Sequence, residues 1–287
     1  MLLYYNMETY DENDSPEIVD WSKIGNDLDS ICMCISAKRR SGKTYLCREL
    51  CYHLGKQMKW DLVILFSETA DFNDDFDYVS EYYKYNHYDE DILNRFIKQQ
   101  ETNMKIYKQK KKKNPRYDKE PPHLLIILDD VAHTKEVFFS RAIGQLAVLG
   151  RHIRCSCIVL TQHLCAFSPK FRQNCDILIT FRDPDYNLKK YIIDSFMTLD
   201  VNSRKEVKPY IDKCFGEPFK AMVIMIYKIQ EAYKLSDYVG YFKAGKNKPK
   251  FKLGQKEFWQ KDLALRDKNS SKRKGLNTKD MDFKHII

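Results

Sequence analysis

The chain has 287 residues, 43% hydrophobic and 31% charged, a balance that fits one sizeable α/β domain with terminal extensions and excludes a fibrous or wholly disordered chain. No apolar run approaches the roughly 18 to 20 residues that span a bilayer, and the start MLLYYNMETYDEND lacks a basic segment followed by an apolar one, so neither a transmembrane segment nor a secretory signal is expected. The formal net charge of +9 lies wholly in residues 243–287, where fourteen Lys/Arg face five Asp/Glu, so the body is neutral.

In chain order, residues 1–29 read as an acidic N-terminal extension, since residues 1–30 hold eight acids and one lysine. The main domain is expected over 30–242. Short apolar runs at 30–36, 61–66, 123–130, 155–162, 176–181 and 220–227 predict strands, and the intervals 43–57, 90–112, 134–150, 186–197 and 203–214 predict helices. Near-continuous apolar strands alternating with helices indicate a doubly wound α/β fold, a mostly parallel sheet covered on both faces. A Lys-rich insert at about 105–119, with eight bases and one acid, sits at the end of the second helix or in a loop, and Pro115, Pro121 and Pro122 break the chain before the third strand. It is a candidate contact for a polyanion. The basic tail, 243–287, is expected to be flexible or to fold on a partner. The nine cysteines form no C-x-x-C pair. Cys32/Cys34 and Cys155/Cys157 alternate within apolar runs, as buried thiols of a protein in reducing, cytosol-like surroundings would.

Residues 37–44 read A-K-R-R-S-G-K-T, directly between the first strand and the first long helix. This matches the phosphate-binding pattern G-x-x-x-x-G-K-[ST], with Ala37 in place of the first glycine. Successive backbone N–H groups of such a loop and the N-terminus of the next helix attract phosphate. Ala37, Lys38, Arg39, Arg40, Ser41, Gly42, Lys43, Thr44 and Tyr45 are therefore the predicted nucleotide-binding residues. Lys43 would reach the β- and γ-phosphates, and Thr44 would place its hydroxyl on Mg²⁺. The run LLIILDD ends in Asp129, expected beside the water shell of that Mg²⁺, and Asp130, a candidate base for the attacking water. In the additional-strand arrangement the strand after this one lies next to the phosphate-loop strand. Its last polar residue, Gln162, would then sense the γ-phosphate, with Thr161 and His163 as alternates. ATP with Mg²⁺ is the predicted ligand pair.

The stretch AVLGRHIRCSCIVLTQH, together with the Asp-Asp strand end, resembles the FtsK–HerA superfamily of P-loop NTPases of the additional-strand, RecA-like type, and within it the poxvirus-type genome-packaging ATPases of large DNA viruses. The resemblance spans about residues 30–182. It implies a pentameric or hexameric ring that hydrolyses ATP to drive double-stranded DNA into a capsid, with capsid or membrane-associated packaging components as partners and the viral factory or virion as location. It further implies that Arg151 is a finger reaching a neighbour's ATP, with Arg154 as the alternative. Ala37 and Asp130 depart from the superfamily's usual glycine and glutamate. Two other classes remain open from the sequence: a small-molecule nucleotide or nucleoside kinase, and a scaffold that binds ATP without hydrolysing it.

Overall fold

The six apolar runs all form strands, because each supplies five or more consecutive residues that can be buried on both faces of a sheet. In the computed structural model, which describes residues 14–260 apart from 73, 132–136, 138, 167, 184, 198–202 and 246, they are β1 (Cys32–Ser36), β2 (Leu62–Ser67), β4 (Leu124–Asp129), β5 (Cys155–Thr161), β6 (Ile177–Phe181) and β7 (Lys220–Met225). Two short strands complete an eight-stranded sheet: β3 (Lys84–Tyr85) and β8 (Val239–Lys243). The order is β3-β2-β4-β5-β1-β6-β7-β8. Every pairing from β3 through β6 is parallel, whereas β6–β7 and β7–β8 are antiparallel. The expected insertion of the strand after Asp129 is realised: β5 lies between β4 and β1.

The helices are α1 (Ile24–Asp27), α2 (Lys43–Met58), α3 (Glu90–Lys113), α4 (Arg141–Leu149), α5 (Pro169–Arg172), α6 (Tyr186–Ile192), which runs on into a π-helical segment Ile193–Met197, and α7 (Ser203–Cys214). Of the helix predicted over 134–150, the described part runs from Arg141, where Ser140 caps it by accepting from Ile143 N, and positions 134–136 and 138 lie outside the described residues. Asp89 caps α3 in the same way, accepting from Ile92 N at 3.0 Å. All strands but the edges of the sheet are buried, and the core is continuous from Val19 to Phe258.

The structure places the Lys-rich segment and redraws two of the expected boundaries. Of the two places open to the Lys-rich segment, a helix end or a loop, Lys105 to Lys113 take the first: they are the last turns of α3, whose four terminal lysines suit the negative end of a helix. Residues 14–29 are part of the domain. Val19 N donates to Tyr241 O and Tyr241 N to Glu17 O, both at 2.9 Å, which pairs this segment with β8. The close approach requires Gly240, where a Cβ would stand 2.6 Å from Glu17 O. At the other end, residues 244–260 run as a strap over α2 toward β2. Phe251 stacks on Tyr78 with ring centres 4.9 Å apart, Arg48 Nε donates to Pro249 O at 3.0 Å, and Leu253 and Phe258 are buried. The rest of the basic tail, 261–287, lies outside the described residues. Among those described, no helix is long and apolar enough to cross a membrane.

Candidate nucleotide site

All parallel strands end at one edge of the sheet, and β1 lies where the chain changes direction of growth, with β5 on one side and β6 on the other. Ligands of such sheets bind in the crevice outside the carboxyl ends at that point. Residues 37–44 occupy it. Ala37 N donates to Thr161 O at 2.9 Å, extending the β1–β5 ladder by one bond. The left-handed residues of the loop are Arg40 (φ 67°) and Gly42 (φ 92°). Ala37 is not among them, which is why the missing first glycine is tolerated: at this position a buried methyl group is compatible with the backbone. Lys38, Arg39 and Arg40 are exposed, and Lys38 Nζ pairs with Asp183 Oδ1 at 2.9 Å. Ser41 Oγ turns back to Lys38 O. Gly42 caps α2, which begins at Lys43.

Three of the predicted residues meet at one point. Lys43, buried to 6% exposure, donates from Nζ to Asp130 Oδ1 at 2.5 Å, and Gln162 Nε2 donates to Asp130 Oδ2 at 3.2 Å. Asp130 is held for this by a left-handed backbone, φ 45°, and by its own N–H, which donates to Leu160 O at 3.1 Å. A non-glycine residue in that region is uncommon and clusters at functional sites. Beside it, Asp129 ends β4 with a buried carboxylate. Its Oδ2 accepts from Ser67 Oγ at 2.8 Å, while Oδ1 is buried and has no hydrogen-bond partner among the described residues. Burial raises the Asp129 carboxyl to about 6, aided by the neighbouring Asp130 charge and opposed by Ser67 and Lys43. A buried acceptor left open in this way fits a ligand that brings its own donors, such as the water of a hydrated cation.

The remaining predicted residues are spread along α2 and β5. Thr44 is half-buried in the first turn of α2. Tyr45 Oη donates to Gly245 O at 2.6 Å, which ties the helix to the strap. Thr161 is fully buried, with its Oγ1 accepting from His163 N at 2.9 Å, so it shapes the turn; His163 is exposed.

Arg151 is at the opposite edge. It precedes β5, whose seven residues separate it from Gln162 by about 20 Å of strand. There it lines a cavity of about 420 Å³ with Asp176, Asn174, Tyr227 and Gln230. Burial raises the Asp176 carboxyl to about 6, and Arg151 opposes that shift. Arg151 cannot reach the phosphate loop of its own chain. Arg154, also left-handed at φ 56°, is engaged by Glu120 at 2.5 Å.

Sequence reasoning missed Ser67, Asp183 and Phe219. Ser67 was readable as the polar residue closing the β2 run, the partner in register of Asp129. Asp183 and Phe219 carry no motif: the parallel β1–β6 pairing brings Asp183 to this edge, and the antiparallel β6–β7 pairing brings Phe219.

Comparison with known proteins agrees with this architecture. The family model described as Poxvirus A32 protein matches residues 27–211. "Uncharacterized protein L437" of Acanthamoeba polyphaga mimivirus is 29% identical over 230 residues, covering 77% of this chain and 75% of that protein. The pCW3 conjugation coupling protein TcpA, solved as a monomer with ATPγS, is similar in structure at a TM-score of 0.50 and 15% identity, over 84% of this chain and 66% of that one. The genome packaging NTPase B204 of Sulfolobus turreted icosahedral virus 2, solved with AMPPCP, aligns at a TM-score of 0.47 and 16% identity, over 76% of this chain and 99% of that one. The chain shares its fold with that coupling protein, and with well over half of its length matched by the family model, it belongs to the poxvirus A32 protein family.

Proposed function

We propose that this chain is an ATPase that drives double-stranded DNA, and that its use is to package a viral genome into a capsid. Family membership supports the viral setting. The observation that carries the chemistry is the convergence of Lys43, Asp130 and Gln162 beside the open Oδ1 of Asp129. The Lys43 ammonium, held here by a carboxylate, is the cation that would take the β- and γ-phosphates of ATP. Phosphate oxygens replacing Asp130 on Lys43 would free that carboxylate to accept a proton from a water molecule, with Gln162 orienting the water. Thr44 and Asp129 are the residues that fit Mg²⁺, which when bound neutralises charge on the phosphates.

The opposite edge supplies what a single chain lacks. Arg151, out of reach of its own phosphate loop, is placed to serve the site of a second copy in a ring, where its charge would neutralise the transferring phosphoryl group. The end of α3 is the surface for DNA: Lys108 and Lys110 to Lys113 are exposed, and such lysines bind the duplex backbone without regard to sequence. The test is steady-state ATP hydrolysis with and without long duplex DNA at two salt concentrations. Stimulation that fades with salt is expected, and hydrolysis indifferent to DNA contradicts the DNA-coupled part of the reading.

A further inference from the structure

On the β6–β7–β8 side of the phosphate loop stands Phe219, a large aromatic residue with 63% of its surface exposed. Its position is built rather than incidental. It precedes β7, whose antiparallel pairing puts Lys220 at the carboxyl edge of the sheet, next to the end of β6 at Phe181 and the end of β8 at Lys243. Its backbone is left-handed, φ 61°, a conformation that is a genuine outlier for a bulky residue. The residues around it are tied down. Glu217 pairs with Lys243 at 2.5 Å, Lys220 N donates to Glu217 O at 3.3 Å, and Lys220 Nζ sits 3.5 Å from the centre of the Tyr241 ring. The outcome is that a Cβ placed on Gly42, the glycine of the phosphate loop, would stand 3.4 Å from Phe219 Cδ1. The ring is thus held against the phosphate loop by a strained, braced backbone while most of its surface stays exposed.

We infer that Phe219 is the stacking platform for the base of the bound nucleotide, so that the site takes a nucleoside triphosphate rather than a bare polyphosphate. The inference rests on the reading of residues 37–44 as the phosphate site. With phosphates at Lys43 and the reacting end toward Gln162, on the β5 side, the nucleoside extends to the β6 side, where Phe219 lies. Stacking on an aromatic face suits any base, since every base has a π-face.

The test compares Mg²⁺-ATP with Mg²⁺-tripolyphosphate by calorimetry on the full-length chain, as wild type and as Phe219→Ala, Phe219→Trp and Lys43→Ala. Phe219→Ala should lose about tenfold in affinity for ATP and nothing for tripolyphosphate. Phe219→Trp should hold ATP as the wild type does, with indole fluorescence that ATP quenches and tripolyphosphate does not. Binding of ATP that depends on Lys43 but is unchanged in Phe219→Ala overturns the stacking role alone, as does an equal loss for both ligands. Wild-type protein that binds neither ligand overturns the phosphate site and the stacking role together.

Discussion

The two edges of the sheet differ in how their chemistry is assembled. At the carboxyl edge, Lys43, Asp129, Asp130 and Gln162 close three adjacent strand ends: Lys43 and Gln162 both donate to Asp130, and the next residue in the chain, Asp129, is held by Ser67. At the amino edge, Arg151 shares a cavity with Asp176, and the lysines that end α3 are exposed. The first edge is the candidate site; the second is proposed to contact partners outside the chain. In the proposed reading, an arginine held about a strand's length from its own phosphate loop serves a second copy, and that separates the two edges experimentally.

The sharpest way to break the comparison is at Lys43. Lys43→Ala should lower hydrolysis by about 10³-fold or more, since removal of one preorganised charge donor alone costs about 10²–10³; it should also weaken ATP binding, as read by calorimetry. Arg151→Ala should reduce turnover by about 10³-fold and leave ATP binding unchanged. Mixing the two variants should restore activity, because one contributes an intact loop and the other an intact arginine. No rescue would place Arg151 outside the reaction. Replacing Lys110, Lys111, Lys112 and Lys113 by alanine should leave DNA-free hydrolysis intact and lower the slope of log affinity for duplex against log salt by up to about 3.6, measured by fluorescence anisotropy.

The smallest effect concerns stability at the amino edge. His123 is buried between β2 and β5, where Nδ1 donates to Met58 O at 2.9 Å and Nε2 accepts from Ser30 and Ser156 hydroxyls at 3.2 and 3.1 Å. Burial lowers its pKa to about 4, with the Arg154 charge contributing. The unfolded chain, titrating near 6.5, therefore binds the proton first. Stability from the neutral ring is complete above pH 6.5 and falls as pH drops toward 4, by up to about 3 kcal/mol. Denaturation midpoints across that window should move in the wild type and move less in His123→Gln, with nucleotide affinity at pH 7 unaltered.

The carboxyl edge was legible because its parts are contiguous: a loop between strand and helix, and two apolar runs ending in Asp-Asp and Gln. Strand existence followed from apolar runs, and α2, α3 and α7 fell within a residue of the periodic segments. What escaped was short or depended on pairing. β3 has two residues and no pattern, and β8 (VGYFK) carries a glycine whose reason, the close approach of residue 17, shows only in the fold. Residues 244–260 look like a polar tail by composition, yet Phe251, Leu253 and Phe258, spaced among lysines, are enough to pin it across α2. Phe219 was unreadable for the same reason: its meaning comes from β7 running antiparallel.

The central claim is movement of duplex DNA powered by ATP, and displacement of a third strand from a triplex at the end of a long duplex measures that directly. With ATP the wild-type chain should strip the third strand, more slowly the longer the duplex it must first traverse, and Lys43→Ala should not strip it at all. Hydrolysis at full rate with the third strand left in place would contradict the account.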